Sequence, residues 1–275
     1  MNNDFKLLIG YHLTDRCNLK CVSCNNFCPL VSDKTKDKPI EQIKADLLLL
    51  SKFRDNVGLI SLMGGEPTLH KNLEEIVIFA RELFPFSEVH IATNGILLQR
   101  LLDIKDTIIR NKITIYLTKY PFKDDANEYY QKVRESLAGC QLIEFPEGNE
   151  LVSTMQCKML SNKFVNSTDE DIKTCRMRGV CAQLANGRLY MCNCAATIDV
   201  LKNYFKDTVK IQTDGTEYVD LNTCTVEDIY DLTYERVPLL CRYCNESVRN
   251  FYPDDFEYLP WHRSEKLVEE WVENI

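Results

Sequence analysis

The sequence predicts an α/β fold on a parallel sheet, followed by a smaller β-hairpin-plus-helix unit. Three observations carry that prediction. Apolar runs of strand length alternate with segments of helical periodicity through Phe145, which is the pattern of a parallel sheet built by right-handed crossovers. Loops bearing cysteine, glycine or asparagine directly follow those runs, at Cys17 to Cys24, Gly64 to Pro67 and Asn94-Gly95. After residue 170 the pattern changes. Cysteines return around an Asn186-Gly187 pair flanked by short strand-like stretches, a strong hairpin signal.

Taken in order, Phe5 to Thr14 is an apolar run that reads as the first strand, and the cysteine loop comes straight after it. Ser32 to Pro39 is polar and reads as a loop. Ile40 to Phe53 has helical periodicity, with Ile43, Leu47 and Leu50 on one stripe. A second strand is expected over about Val57 to Met63. A helix follows over Leu73 to Phe84, where Ile76, Phe79, Ala80 and Leu83 form the apolar face. Glu88 to Thr93 is the third strand, a helical segment comes next, and Ile113 to Thr118 is the fourth strand. Asp124 to Leu137 reads as a helix and Cys140 to Phe145 as a fifth strand. A sixth strand is expected between Leu151 and Val165, a stretch with little pattern. At the far end, Ser264 to Val272 predicts a packing helix through Leu267, Val268 and Trp271, behind an aromatic segment with Phe251, Tyr252, Phe256, Tyr258 and Trp261.

Composition narrows the classes of function. The net charge of -8 argues against nonspecific nucleic-acid binding, which needs clustered Lys and Arg. Met1-Asn2-Asn3-Asp4 lacks a basic signal-peptide start, and no stretch approaches the ~20 apolar residues of a membrane span, so a cytoplasmic location is expected. In that compartment thirteen cysteines read as metal ligands or reactive thiols rather than as a disulfide framework.

The chemistry begins at Cys17-Asn18-Leu19-Lys20-Cys21-Val22-Ser23-Cys24. Three thiolates on one short loop can hold one face of an iron–sulfur cluster and leave one iron open. A structural zinc site using the same cysteines is the alternative. The C-x3-C-x2-C spacing after a strand, together with Gly64-Gly65-Glu66-Pro67 ending a later strand, resembles the radical S-adenosylmethionine (SAM) enzymes. The resemblance implies a partial (β/α)6 barrel over residues 1–165. It also implies a [4Fe–4S] cluster on Cys17, Cys21 and Cys24, with SAM on the open iron. Gly64, Gly65, Glu66 and Pro67 would bind SAM through backbone, with Thr118 on the ribose and Asn94 lining the same cavity. Ser23 departs from the family, which places an aromatic residue before the third cysteine; Phe27 is a candidate replacement face. His12 and His90 lie on strands and read as packed, hydrogen-bonded histidines.

The second set comprises Cys175, then Cys192 five residues after Gly187, then Cys241 and Cys244 as a C-x2-C pair. This arrangement resembles the twitch domain, a truncated SPASM domain, and is similar to that of radical SAM dehydrogenases acting on aminocyclitols. The resemblance implies a second, auxiliary [4Fe–4S] cluster within residues 166–250, leaving residues 251–275 as the packing helix. Cys181 competes with Cys175 for the first ligand position. Cys28, Cys140, Cys157, Cys181, Cys194 and Cys224 are left over and read mostly as buried small hydrophobes.

The function expected from this resemblance is hydrogen abstraction from a small polar substrate, a sugar or aminocyclitol, ending in dehydrogenation. An external donor such as flavodoxin or ferredoxin would supply the electron. The alternatives are an epimerase, with Cys28 or Cys194 as the hydrogen donor, a ribosomal-peptide maturase, and a zinc-stabilised binding module without catalysis. No nucleic-acid or membrane partner is expected.

Overall fold

The computed structural model describes residues 5–31, 37–155, 159–245 and 259–274. In chain order its strands are β1 (Leu7–Thr14), β2 (Val57–Gly64), β3 (Glu88–Thr93), β4 (Thr114–Thr118), β5 (Gln141–Phe145), β6 (Thr154–Met155), β7 (Leu160–Ser161), β8 (Ala182–Ala185), β9 (Arg188–Tyr190), β10 (Tyr218–Asp220), β11 (Leu259–Pro260) and β12 (Val272–Glu273). The α-helices are α1 (Ile40–Ser51), α2 (Leu73–Leu83), α3 (Leu98–Leu102), α4 (Lys105–Arg110), α5 (Ala126–Ser136), α6 (Asp169–Lys173), α7 (Asn193–Tyr204) and α8 (Val226–Tyr230). No helix among the described residues is long and apolar enough to cross a membrane.

One eight-stranded sheet has the order β10-β9-β8-β1-β2-β3-β4-β5. β1 to β5 are parallel neighbours, as the alternation of strands and helices requires. Along β1, Leu7, Ile9, Tyr11 and Leu13 are buried in one core with Ile43, Leu47 and Leu50 of α1, so the period-2 face of the strand meets the period-3.6 stripe of the helix. The sheet has two ends, β5 and β10, and so forms an open rather than closed wall.

The hairpin forms where Asn186-Gly187 places it. Asn186 and Gly187 have φ of 51° and 72°, the pair of positive values that a tight two-residue turn requires. Leu184 pairs with Leu189 across it, and β8 runs parallel to β1 with Gln183 beside Gly10. Asp46 of α1 is fully buried and accepts bonds from the Asn186 and Gly187 amides, at 3.1 and 2.7 Å, and from the Tyr11 hydroxyl at 2.8 Å. The helix after β1 thus holds the turn of a hairpin far along the chain. The sheet runs without a break across the boundary expected at residue 165.

Two expectations fail. Among the described residues between Leu151 and Val165 no strand joins the eight-stranded sheet; they contribute β6 and β7, which pair with β11 and β12 from the end of the chain. The C-terminal packing helix is also absent among residues 259–274, which form β11, a single 3₁₀ turn over Val268–Glu270, and β12. Local bonds compete with the helix: the Glu270 carboxylate accepts from the Ser264 hydroxyl and the Glu265 amide, and Lys266 takes a positive φ of 61°. Of the aromatic segment, Phe251, Tyr252, Phe256 and Tyr258 lie outside the described residues, as do Ser32 to Lys36 of the predicted loop.

Candidate metal and cofactor centre

Cys17, Cys21 and Cys24 leave the C-terminal end of β1 and line one cavity of about 230 Å³. Gly64, Gly65 and Glu66, at the end of β2, contribute to the same wall, as do Asn94 after β3 and Thr118 ending β4. Every motif therefore sits at the C-terminal ends of the parallel strands, where barrels of this type carry their sites.

The cysteine loop is held by the far end of the chain. The Val22 amide donates to the His262 carbonyl at 3.0 Å, and the Ser264 amide donates to the Lys20 carbonyl at 2.7 Å. The Trp271 indole donates to the Cys24 carbonyl at 3.2 Å, with the ring fully buried. Ser23 stands where the resemblance expects an aromatic residue. It takes a φ of 49°, is fully buried, and donates its hydroxyl to the Glu270 carbonyl. The residue is thus spent on anchoring the loop.

Gly65 is required for a different reason from the one the sequence suggests. A Cβ there would lie 2.0 Å from the Arg16 carbonyl oxygen, next to the first cysteine. Its amide donates to Thr14 O at 2.7 Å, and the Glu66 amide donates to Arg16 O at 2.8 Å. The glycines therefore let β2 close onto the cysteine loop, and a side chain at 65 disturbs both. The Glu66 carboxylate is buried and accepts from the Thr68 amide (3.1 Å), the Thr68 and Thr93 hydroxyls (both 2.6 Å) and the Asn94 amide (2.9 Å). Burial pushes its pKa up, against the pull of those donors. Its side chain clamps the end of β2 to the end of β3. Pro67 opens a 3₁₀ turn, is buried, and does not line the cavity.

Asn94 donates through Nδ2 to Asn18 Oδ1 at 2.7 Å, tying β3 to the cysteine loop; the positive φ of the turn falls on Gly95. Phe27 is fully buried in the hydrophobic core and does not line the cavity, so it supplies no face there. Tyr120, which sequence reasoning missed, does line it. The signal was its position two residues beyond Thr118, on the same side of an extended chain. His90 is bonded to Glu88 at 3.0 Å. His12 lies against the Asn193 side chain, and burial pushes its pKa down to about 4, against the pull of Asn193.

A second, smaller cavity of about 60 Å³ is lined by Cys175, Cys181, Cys192, Cys194, Cys241 and Cys244. Cys181 and Cys194, left over in the sequence, face the same space as the four expected ligands. Cys192 caps the N-terminus of α7, where a helix favours a thiolate. Cys241 lies in the 3₁₀ turn Leu239–Tyr243, and Cys244 follows it. Cys28 lines the first cavity and Cys194 the second. Cys140 and Cys224 are half-buried against the core, and Cys157 lies outside the described residues. Asn25 lines both cavities, and Asn193 donates to the Asn25 carbonyl at 2.6 Å, joining the residue after Cys24 to the residue after Cys192.

Burial pushes Cys17 and Cys21 up, Cys21 to about 12, and Cys181 likewise to about 12. The Cys28 thiol holds Cys24 down to about 7, and the Cys194 thiol lowers Cys192. The donor chemistry fits a cluster: three thiols on one wall, a strand-end backbone on another, and room beyond them. Among the described residues no three His, Cys, Asp or Glu side chains close on a single metal ion.

Residues 11–132 match the family model of the radical SAM superfamily. Over 111 residues the chain is 34% identical to the 7,8-dihydro-6-hydroxymethylpterin dimethyltransferase of Methanocaldococcus jannaschii, covering 40% of this chain and 22% of that protein. Over 89 residues it is 36% identical to the GTP 3',8-cyclase of Mycobacterium marinum, covering 30% of this chain and 23% of that protein. The chain thus spans under a quarter of the length of these curated relatives. Among solved structures, BtrN in complex with AdoMet and 2-DOIA is 18% identical with a TM-score of 0.49, covering 82% of each chain.

Proposed function

From the match of residues 11–132 to the radical SAM family model, we infer that the protein abstracts a hydrogen atom from a small polar substrate and oxidises it by two electrons. Cys17, Cys21 and Cys24 would hold the [4Fe–4S] cluster that the family implies, and bound SAM would supply the hydrogen-abstracting 5′-deoxyadenosyl group. The observation that carries this reading is the shared cavity. The three thiols, the Gly64 to Glu66 backbone, Asn94 and Thr118 surround one space. The chain's own part is to orient and to exclude water. Glu66 and Asn94 fix the strand ends that would surround SAM, and Thr118 would meet its ribose.

In the oxidation, the substrate carbon would give up a hydrogen atom, the hydroxyl or amine on that carbon a proton to a base, and the resulting radical one electron to an acceptor, leaving a C=O or C=N bond. The second thiol-lined cavity suits that acceptor, an auxiliary [4Fe–4S] cluster on Cys192, Cys241, Cys244 and Cys175 or Cys181. An external flavodoxin- or ferredoxin-type donor would supply the electron for SAM cleavage. One specific observation favours epimerisation as the second reading. Cys28 shares the first cavity and could return a hydrogen atom to the substrate radical, whereas Cys194 lines the other cavity.

Anaerobic reconstitution with iron and sulfide, followed by SAM and a reductant, should yield 5′-deoxyadenosine. A zinc-loaded protein that leaves SAM intact would remove every radical reading. Turnover of the substrate in deuterated water then separates the reactions. A carbonyl product without solvent label at the reacting carbon supports oxidation, and label that disappears in Cys28→Ala supports epimerisation.

A further inference from the structure

Arg178 lies between Cys175 and Cys181 and is 93% buried, with a relative exposure of 7%. Its Nη1 donates to the Thr233 carbonyl at 3.1 Å and its Nη2 to the Arg236 carbonyl at 2.6 Å. These bonds fix the plane of the guanidinium. Its Nε is buried and has no acceptor among the described residues. The ion pairs of the described residues do not include Arg178 either. A buried cation without a counter-charge is costly, so a built position of this kind needs an anion. The side chain lines the cavity formed by the six thiols. Lys does not reproduce this arrangement, because its three donors sit on one nitrogen, whereas the planar guanidinium holds two carbonyls with Nη1 and Nη2 and keeps Nε–H on a separate edge.

We propose that Arg178 is the positioning residue of the second cavity, supplying the counter-charge and one hydrogen bond, through Nε–H, to an anionic thiolate-bound cluster held there. The inference rests on the reading of that cavity as an auxiliary iron–sulfur site. Reduction of such a cluster adds one negative charge. A fixed guanidinium therefore stabilises the reduced form more than the oxidised form and makes the cluster a better electron acceptor. Net charge and hydrogen bonds to the sulfurs are the levers that set such potentials. Arg178 would thus tilt the substrate radical toward losing an electron.

The test uses the full chain carrying Cys17→Ala, reconstituted with iron and sulfide, so that the remaining cluster signal comes from the second set. In an EPR-monitored redox titration, Arg178→Gln should disfavour reduction by about tenfold, which is about 59 mV for a one-electron couple. Arg178→Lys should fall between that variant and the parent. Pulsed EPR of the parent labelled with arginine carrying 15N at Nε alone should show a nitrogen coupled to the reduced cluster, a readout that needs no folded Arg178 variant. Full iron content with no 15N coupling, or with a potential unchanged in Arg178→Gln, would overturn the role of Arg178 while leaving the cluster reading standing. Zinc in place of iron in the Cys17→Ala protein would overturn the cluster reading itself.

Discussion

Cys17, Cys21 and Cys24 sit on one short loop, whereas the thiols of the second cavity are gathered from separate segments between Cys175 and Cys244. The loop needs only its own spacing and the strand before it to bring its thiols together. The second set needs a hairpin, the start of α7 and a 3₁₀ turn to fold against one another first. The cavities differ in room as well, about 230 Å³ against about 60 Å³. The larger has space for a ligand beside a cluster. The smaller has Met159, Met191 and Leu240 beside its six thiols.

If the two sites are independent, breaking one should leave the other. Replacing Cys17, Cys21 or Cys24 with Ala should abolish 5′-deoxyadenosine formation and leave about half the iron. Cys241→Ala should do the reverse, losing the other half while SAM cleavage continues. Iron analysis beside product assay checks both, and loss of all iron from Cys17→Ala would end the comparison.

The next effect probes what holds the first loop. Trp271 is fully buried and bonds the Cys24 carbonyl. Trp271→Ala should cost about 3–5 kcal/mol of stability. It should also lower iron retention at the first site more than at the second. Denaturant unfolding measures the former; iron content in the Cys241→Ala and Cys17→Ala backgrounds separates the latter.

Glu66→Gln should be milder, about 1–3 kcal/mol. An amide retains an acceptor for Thr68 and Thr93 but sets a donor against the Asn94 amide. SAM affinity should fall while cluster spectra stay unchanged, since Glu66 fixes strand ends rather than thiols. An unaltered dissociation constant in calorimetry would take Glu66 out of the SAM site. The smallest effect is Gly187→Ala, at about 1–2 kcal/mol, because φ of 72° disfavours a side chain there. It should weaken the second cavity first, seen as earlier loss of its iron on warming.

The cysteine loop, the strands β1 to β5 and the hairpin were legible because each is specified locally. Periodicity marks burial, Asn186-Gly187 marks a turn, and thiols at short spacing must lie together. The roles of Ser23 and Phe27 were not legible, since both depend on what packs over the loop. The failure at Ser264 to Val272 has the same origin. Leu267, Val268 and Trp271 carry helical spacing, yet Trp271 is drawn under the cysteine loop and Glu270 is taken up by Ser264 and Glu265.

By itself the sequence determined which strand ends bear the cysteine loop and the Gly64 to Pro67 turn, because spacing along a chain limits what a short loop can reach. Only the tertiary structure decided that the chain's end clamps the cysteine loop. It alone decided that Asp46 of α1 holds the hairpin turn, and that Cys181, Cys194 and Arg178 face the same cavity as the expected ligands. Those contacts join residues distant in sequence. They are selected by burial and by the need of buried polar groups for partners, which no local pattern encodes.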